Sequence, residues 1–253
     1  MHPVLFKIGP ITIYTYGFCI AIGFLLAGFI IVREAKKAGI DHNKVMDVFF
    51  YSLLSGLIGS RILYVVFNIH DYWPNIWKIF LLWEGGLVFY GGLLGGAPVC
   101  FWLIHHYDLP ILSVMDIIIL PGPLAHSIGR IGCFMAGCCY GKSCDWMWAV
   151  VFKHKMSLAP LHRPIHPTQL YSSFSNLIIF LILVFVNRKK RFDGQIVSLY
   201  LCLYPMSRIV NEYFRADKRT ILLFSHFTLT HLISIIAIVS GLVLYGYLGT
   251  RKQ

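Results

Sequence analysis

Seven apolar stretches punctuate the chain, near residues 11–32, 45–67, 86–104, 111–129, 168–187, 194–214 and 226–248. Each can be extended to about the 20 residues that cross a bilayer as a helix. The pattern predicts an all-α, polytopic membrane protein with about seven transmembrane helices. The first stretch is too long for a signal-peptide core, and no small-residue cleavage site follows it, so it reads as a helix of the mature protein. Pro121 and Pro123 interrupt the fourth stretch, a break that membrane helices tolerate where the chain lines a cavity or is buried in protein. From Lys142 to Pro167 the chain turns polar and carries prolines. With no low-complexity run, repeat or domain boundary, residues 1–253 read as a single integral-membrane domain with an outer loop at about 142–167.

Orientation follows from the basic turns. Arg33, Lys36, Lys37 and Lys44 lie between the first two stretches, Arg188 to Arg191 lie between the fifth and sixth, and Arg251 and Lys252 end the chain. An odd number of spans puts all three groups on one side, which the positive-inside rule makes cytoplasmic, so the N-terminus is expected outside and the C-terminus inside. Composition agrees: 57% of residues are hydrophobic, only 13% are charged, and the mean hydropathy is +0.70. These values exclude an ordinary soluble domain. The net charge of +11 suits an anionic bilayer, and no nucleic-acid partner is expected.

Against this background, charges inside apolar runs carry the information, because charge at membrane depth is costly and usually functional. Arg130 sits in HSIGRIGCFMAGCCYG, Arg61 in GSRILYVVF, and Arg208 in YPMSRIVNEYFR. Tyr204, Arg208 and Glu212 recur every fourth residue and share one helical stripe, with Arg215 close behind. A guanidinium matches a phosphate bidentately and keeps its charge in a low-dielectric site. Three arginines against one nearby carboxylate, Glu212, want an anion, and in a membrane the obvious one is a phospholipid headgroup. Other readings stand beside this one. Arg130 could pack helices through a carboxylate, Arg61 could snorkel, and Arg208–Glu212 could neutralise itself within its helix. Tyr16 is either an interfacial anchor or a hydroxyl directed into a site. Gly91/Gly95 and Gly92/Gly96 have the small-xxx-small spacing of close helix packing, and Tyr90 sits beside them.

Four cysteines, Cys133, Cys138, Cys139 and Cys144, fall in one short stretch, with His162 and His166 downstream. They could bind zinc, form disulfides in an oxidising compartment, or pack as small hydrophobes. The chain has no Ser-His-Asp arrangement, H-E-x-x-H or Walker-type loop.

In order along the chain from GPITIYTYGF to Arg215, the segments EGGLVFYGGLLGG, HSIGRIGCFMAGCCYG, HPTQLY and YPMSRIVNEYFR resemble the prolipoprotein diacylglyceryl transferase family. The resemblance implies a seven-helix enzyme of the bacterial inner membrane whose active site opens towards the periplasm or cell exterior. It implies transfer of a diacylglyceryl group from phosphatidylglycerol to the lipobox cysteine in the signal peptide of a prelipoprotein, with glycerol phosphate released and no cofactor or metal used. By position, Arg130, Arg208, Glu212 and Tyr90 correspond to catalytic residues. Arg130, Tyr16, Arg61, Tyr204, Gln169 and His166 correspond to substrate-binding ones. The chain departs from the GRxGNFxNGE pattern at Cys133, Ala136 and Cys138. It carries Tyr90 where some members have histidine, and Ser172 where glutamate often follows HPTQLY. The proton acceptor is therefore open between Tyr90 and ionisation of the thiol by the positive field of the site. A non-catalytic lipid-binding protein on the same frame and a metal-dependent enzyme are the alternatives.

Overall fold

A computed structural model describes residues 2–8, 11–73, 75–81, 85–216, 222–224 and 227–251. A hairpin of β1 (Val4–Ile8) and β2 (Ile11–Tyr14) leads directly into α1 (Thr15–Lys37). There follow α2 (His42–Phe67), a one-turn α3 (Ile69–Tyr72), a 3-10 turn at Ile76–Phe80, and α4 (Phe89–His106). Next come α5 (Ile111–Ile119), α6 (Gly122–Ala136), the two-residue strands β3 (Val150–Val151) and β4 (Pro164–Ile165), α7 (Thr168–Arg188) and α8 (Gln195–Phe214). Strands β5 (Leu222–Phe224) and β6 (Phe227–Thr228) precede α9 (Leu229–Thr250).

All seven apolar stretches become helices, with α5 and α6 forming the interrupted fourth. Among the described residues, five of these segments are long and apolar enough to cross a membrane: α1, α2, α5–α6, α7 and α9. In α4 the run ends on His105–His106, and α8 carries Asn211, Glu212 and Arg208. The first helix begins at Thr15 rather than at residue 11. The alternating Ile-Thr-Ile of β2 instead pairs antiparallel with β1, as β-branched residues on a pleated strand favour. The faces of these helices carry large exposed side chains such as Leu25, Phe29, Leu242 and Val243. Contiguous apolar surface on that scale marks contact with lipid.

The chain forms two compact units, residues 31–114 and residues 1–30 with 115–253. In the first, α2 and α4 pack through backbone. Gly56 and Gly59 face Gly91, Gly92, Gly95 and Gly96, and a Cβ placed on Gly59 would lie 2.5 Å from the Gly91 carbonyl oxygen. Without lipid-excluding side chains at this seam, the two backbones gain close dispersion contact.

In the second unit, Leu120, Ile179, Leu183 and Ile196 form a core shared by α7, α8 and the residue that follows α5. α6 and α7 are joined by a pair of serines. Ser127 Oγ donates to the Ser173 carbonyl at 2.8 Å and Ser173 Oγ donates to the Ser127 carbonyl at 2.9 Å. The buried Asp116 of α5 caps α8 from outside, its carboxylate accepting the Gly194 and Val197 amides at 2.8 and 3.0 Å. Those amides are among the donors a helix start leaves unpaired, and a negative charge there also favours the helix dipole. Pro121 and Pro123, both fully buried, separate α5 from α6 and start the new helix with proline in its first turn. α6 ends at Gly137, whose positive φ of 76° permits the reversal.

Candidate active site

One face of α6 and one stripe of α8 converge on His126. Arg130 lies one turn after His126, and its Nε donates to His126 Nε2 at 3.1 Å. That bond fixes the imidazole as the tautomer protonated on Nδ1. The His126 ring lies 5.5 Å from the Tyr204 ring, which stacks on Tyr200 at 5.4 Å. Both Arg130 and Arg208 act electrostatically on His126, and Arg130, Arg215, Tyr204 and Glu212 act on Arg208. Among the described residues, Arg130, Arg208 and Arg215 thus gather around this site with the carboxylate of Glu212.

Arg208 and Glu212 form an ion pair, Nη2 to Oε2, at 3.1 Å. The pair leaves Arg208 with capacity to spare. Its Nη1 is buried with no hydrogen-bond partner among the described residues, and the Glu212 Oε2 contact lacks hydrogen-bond alignment. A buried guanidinium N–H without an acceptor is costly, by about 1–3 kcal/mol or more for a charged group, and an anionic oxygen would relieve it. The terminal nitrogens of Arg130 likewise have no hydrogen bond to a described residue, since His126 takes only Nε.

Tyr16, at the start of α1, comes against α6 because position 132 is glycine. A Cβ on Gly132 would stand 3.1 Å from the Tyr16 Cα and 3.3 Å from its ring. Cys133, Cys138, Cys139 and Arg130 are the groups near enough to act electrostatically on Tyr16. Gln169 is 1% exposed; its Nε2 donates to the Cys138 carbonyl at 2.7 Å, and its Oε1 is buried without a partner among the described residues. Next to it, Thr168 Oγ1 donates to the Cys139 carbonyl at 2.8 Å. These two side chains at the head of α7 thus hold the turn after α6. The neighbouring Cys133 and Cys138 side chains, with Arg215 and Arg130, hold the Cys139 thiol below the usual thiol range, opposed by burial.

His166 lies on another side of α8. Its Nδ1 and the Tyr171 hydroxyl are 3.1 Å apart, and its ring meets Phe214 edge-on at 5.2 Å. It lines an apolar cavity of about 800 Å³ with Trp146, Trp148, Tyr171 and the α8 stripe Ser207, Val210, Asn211 and Phe214. The 142–167 segment folds back to build this wall: Lys142 N donates to the Phe214 carbonyl at 2.8 Å and Gly141 N to the His166 carbonyl at 3.1 Å.

Arg61 and Tyr90 belong to the other unit. Arg61 is 3% exposed, and its guanidinium donates five hydrogen bonds to the carbonyls of Lys78, Ile79, Leu81, Gly85 and Gly86. Five bonds match the five N–H donors of arginine. The Tyr64 and Tyr72 rings lie 5.8 and 5.4 Å from its guanidinium carbon. Arg61 therefore does not snorkel; it organises its own loop. Tyr90 is the second residue of α4, half-exposed, with its ring edge-on to Phe89 at 5.9 Å. Sequence reading passed over His126, although its position one turn before Arg130 was a usable signal.

A sequence model of the family described as prolipoprotein diacylglyceryl transferase matches residues 3–247. The chain belongs to this diacylglyceryl transferase family. Proteins named phosphatidylglycerol–prolipoprotein diacylglyceryl transferase are similar over most or all of their length. The protein from Clostridium tetani is 32% identical over 253 residues, covering 100% of both chains. That of Clostridioides difficile is 32% identical and covers 100% of this chain and 98% of its own. The protein from Photobacterium profundum is 34% identical over 259 residues, covering 100% of this chain and 96% of its own. Similarity to transferase-family proteins thus extends over both units, including Arg61 and Tyr90.

Proposed function

We propose that this chain transfers the diacylglyceryl group of phosphatidylglycerol to the lipobox cysteine of a prelipoprotein and releases glycerol phosphate. The observation that carries the proposal is the convergence of Arg130 and Arg208 on His126, with Arg208 Nη1 buried and without a hydrogen-bond partner among the described residues. In the reaction the cysteine sulfur forms a bond to the terminal glyceryl carbon. The bond from that carbon to the phosphate oxygen breaks, its electron pair stays on the phosphate, and the thiol proton departs. Negative charge grows on the phosphate as the bond breaks. Guanidiniums already fixed in place stabilise that charge without reorganising, and loss of one such donor costs about 10²–10³ in turnover.

Arg130 and Arg208 bind the phosphate in this reading. His126 positions Arg130, Glu212 holds Arg208 from one side, and Tyr16 and Tyr204 flank the headgroup. Gln169 acts by fixing the Cys138 carbonyl, and His166 lines the apolar cavity that receives substrate chain. Arg61 serves by shaping its loop. Tyr90 either takes the thiol proton or orients substrate, while the positive field ionises the thiol; reference pKa values near 8.5 for a thiol and 10 for a phenol favour the second route. The reaction calls for no metal or cofactor. We place the protein in the bacterial plasma membrane, with seven spans, N-terminus out, C-terminus in, and its site towards the exterior.

The test is replacement of Arg130 by Lys and by Ala, with transfer from phosphatidylglycerol to a lipobox peptide assayed in reconstituted membranes. The proposal expects turnover to fall at least 10²-fold in both. Near-normal turnover in Arg130→Lys would defeat the bidentate phosphate role.

A further inference from the structure

The cysteines after Arg130 remain outside this chemistry, yet three of them share one point in space. The sulfur atoms of Cys133, Cys138 and Cys139 all lie within 4.8 Å of one another. Local folding brings them together. Gly137, with positive φ, reverses the chain so that Cys138 N returns to the Cys133 carbonyl at 3.1 Å, and Cys138 Sγ turns towards the same carbonyl at 3.7 Å. Cys139 then adopts φ 58°, a left-handed conformation uncommon in residues with a side chain. Gln169 and Thr168 hold the two carbonyls of this turn from α7. Cys144 is left out of the group; its sulfur accepts the Trp146 amide instead.

We propose that Cys133, Cys138 and Cys139 form a three-sulfur site for a soft, thiophilic d10 cation of the copper(I), zinc(II) or cadmium(II) class. Thiolate donors select such ions over hard cations. Sulfurs around an ion at about 2.3 Å stand about 3.8–4.0 Å apart, so thiol rotations that shorten the separations by about 1 Å or less close the cluster. Cys133 is buried, whereas Cys138 and Cys139 are partly exposed, which gives the ion a way in.

On binding, the three thiols release three protons. A divalent ion with three thiolates then carries net charge −1, and copper(I) carries −2. Arg130 and Arg215 act on Cys139 and balance that negative charge. Arg130 is also the residue assigned above to the lipid phosphate. Insofar as that assignment holds, a filled site draws this guanidinium towards the thiolates and weakens its grip on the headgroup, so the ion acts as an inhibitor.

The experiment titrates the reduced, full-length protein in nanodiscs with cadmium(II) and reads the ultraviolet thiolate-to-cadmium charge-transfer band. The band should saturate at one equivalent. It should vanish when Cys133, Cys138 and Cys139 are all replaced by Ser, and persist in Cys144→Ser. Because the triple variant could lose its fold, the single variants Cys138→Ser and Cys139→Ser are titrated as well, and each should weaken cadmium at least tenfold. Absence of a saturating band, or a band that survives all three replacements, overturns the site. Separately, one equivalent of cadmium should lower lipid transfer at least tenfold in the wild type, with recovery on chelation, and leave Cys139→Ser unaffected. Stoichiometric binding with unchanged transfer would overturn the inhibitory role alone. The spectroscopic arm is decided whether or not the chain proves to be a transferase.

Discussion

Arg130 donates from Nε to Nε2 of His126, one helical turn away, at 3.1 Å. The bond engages Nε alone, leaving the two terminal nitrogens of the guanidinium for another acceptor, and fixes which imidazole nitrogen carries the proton. In the proposed reaction this histidine acts through the arginine rather than on substrate, so its loss should misplace Arg130 without removing it. His126→Ala is expected to lower turnover by about 10², while His126→Gln, whose amide oxygen can accept the same bond, should recover at least a tenth of wild-type turnover. Steady-state kinetics on both variants, with KM and kcat separated, check this. Equal losses in the two would show that the acceptor is not what matters.

The five carbonyls around Arg61 predict a different signature. Arg61→Gln removes most of the donors from Lys78, Ile79, Leu81, Gly85 and Gly86 and leaves those oxygens without their guanidinium. Breaking a buried, saturated charge site costs on the order of 3–5 kcal/mol. The variant should therefore lose thermal stability in detergent, and the affinity of the remaining folded protein for phosphatidylglycerol should change less than threefold. A stable Arg61→Gln protein with weakened lipid binding would instead return Arg61 to the headgroup.

These two arginines mark how far the sequence could be read. Helices were legible because apolar runs of bilayer length have few other solutions, and Arg130, Arg208 and Glu212 stood out as charges within them. The stripe Tyr204–Arg208–Glu212 needed only helical periodicity. The partners of Arg61 were hidden because they are backbone atoms 17 to 25 residues away, and a carbonyl carries no sequence signature. For the same reason Asp116 gave no sign that it caps α8, whose amides lie 78 and 81 residues further on. The start of α1 was misjudged because strand pairing with residues 4–8 outcompeted helix formation at residues 11–14. Cysteine spacing suggested a cluster of four, but the turn at Gly137 gathered three.

The seam between α2 and α4 gives a prediction from geometry alone. A Cβ on Gly59 meets the Gly91 carbonyl oxygen at 2.5 Å and the Gly95 Cα at 3.0 Å. Both are backbone atoms, so neither can swing aside. Gly59→Ala should force the helices apart and destabilise the protein by about 1–3 kcal/mol, seen as a lower melting temperature. Gly246→Ala on α9, where an added Cβ meets nothing within 4 Å, is the matched control and should melt as wild type does.

The junction at the start of α8 predicts how stability responds to alkali. Lys190 Nζ lies 2.9 Å from Asp116 Oδ2 and 2.9 Å from Asp193 Oδ1. Burial by itself would lower the lysine pKa, but its bonds to Asp116 and then Asp193 outweigh burial and hold it above the ordinary value. A group whose folded pKa is raised binds its proton more tightly in the folded state, so its contribution is complete below the unfolded pKa of about 10.4. That contribution fades as pH rises through the higher folded pKa. The wild type should therefore lose stability above about pH 10.4 more steeply than Lys190→Met, which lacks the group. Asp116→Ala should be worse than either at neutral pH, because it strips the cap from the Gly194 and Val197 amides as well as the partner from Lys190; removing such a buried acceptor costs on the order of 3–5 kcal/mol. Asp116→Asn keeps an oxygen for one of the amides and should fall between them. Thermal melts of the four proteins across pH 7–11 separate the capping role, which is insensitive to alkali, from the ion pair, which is not.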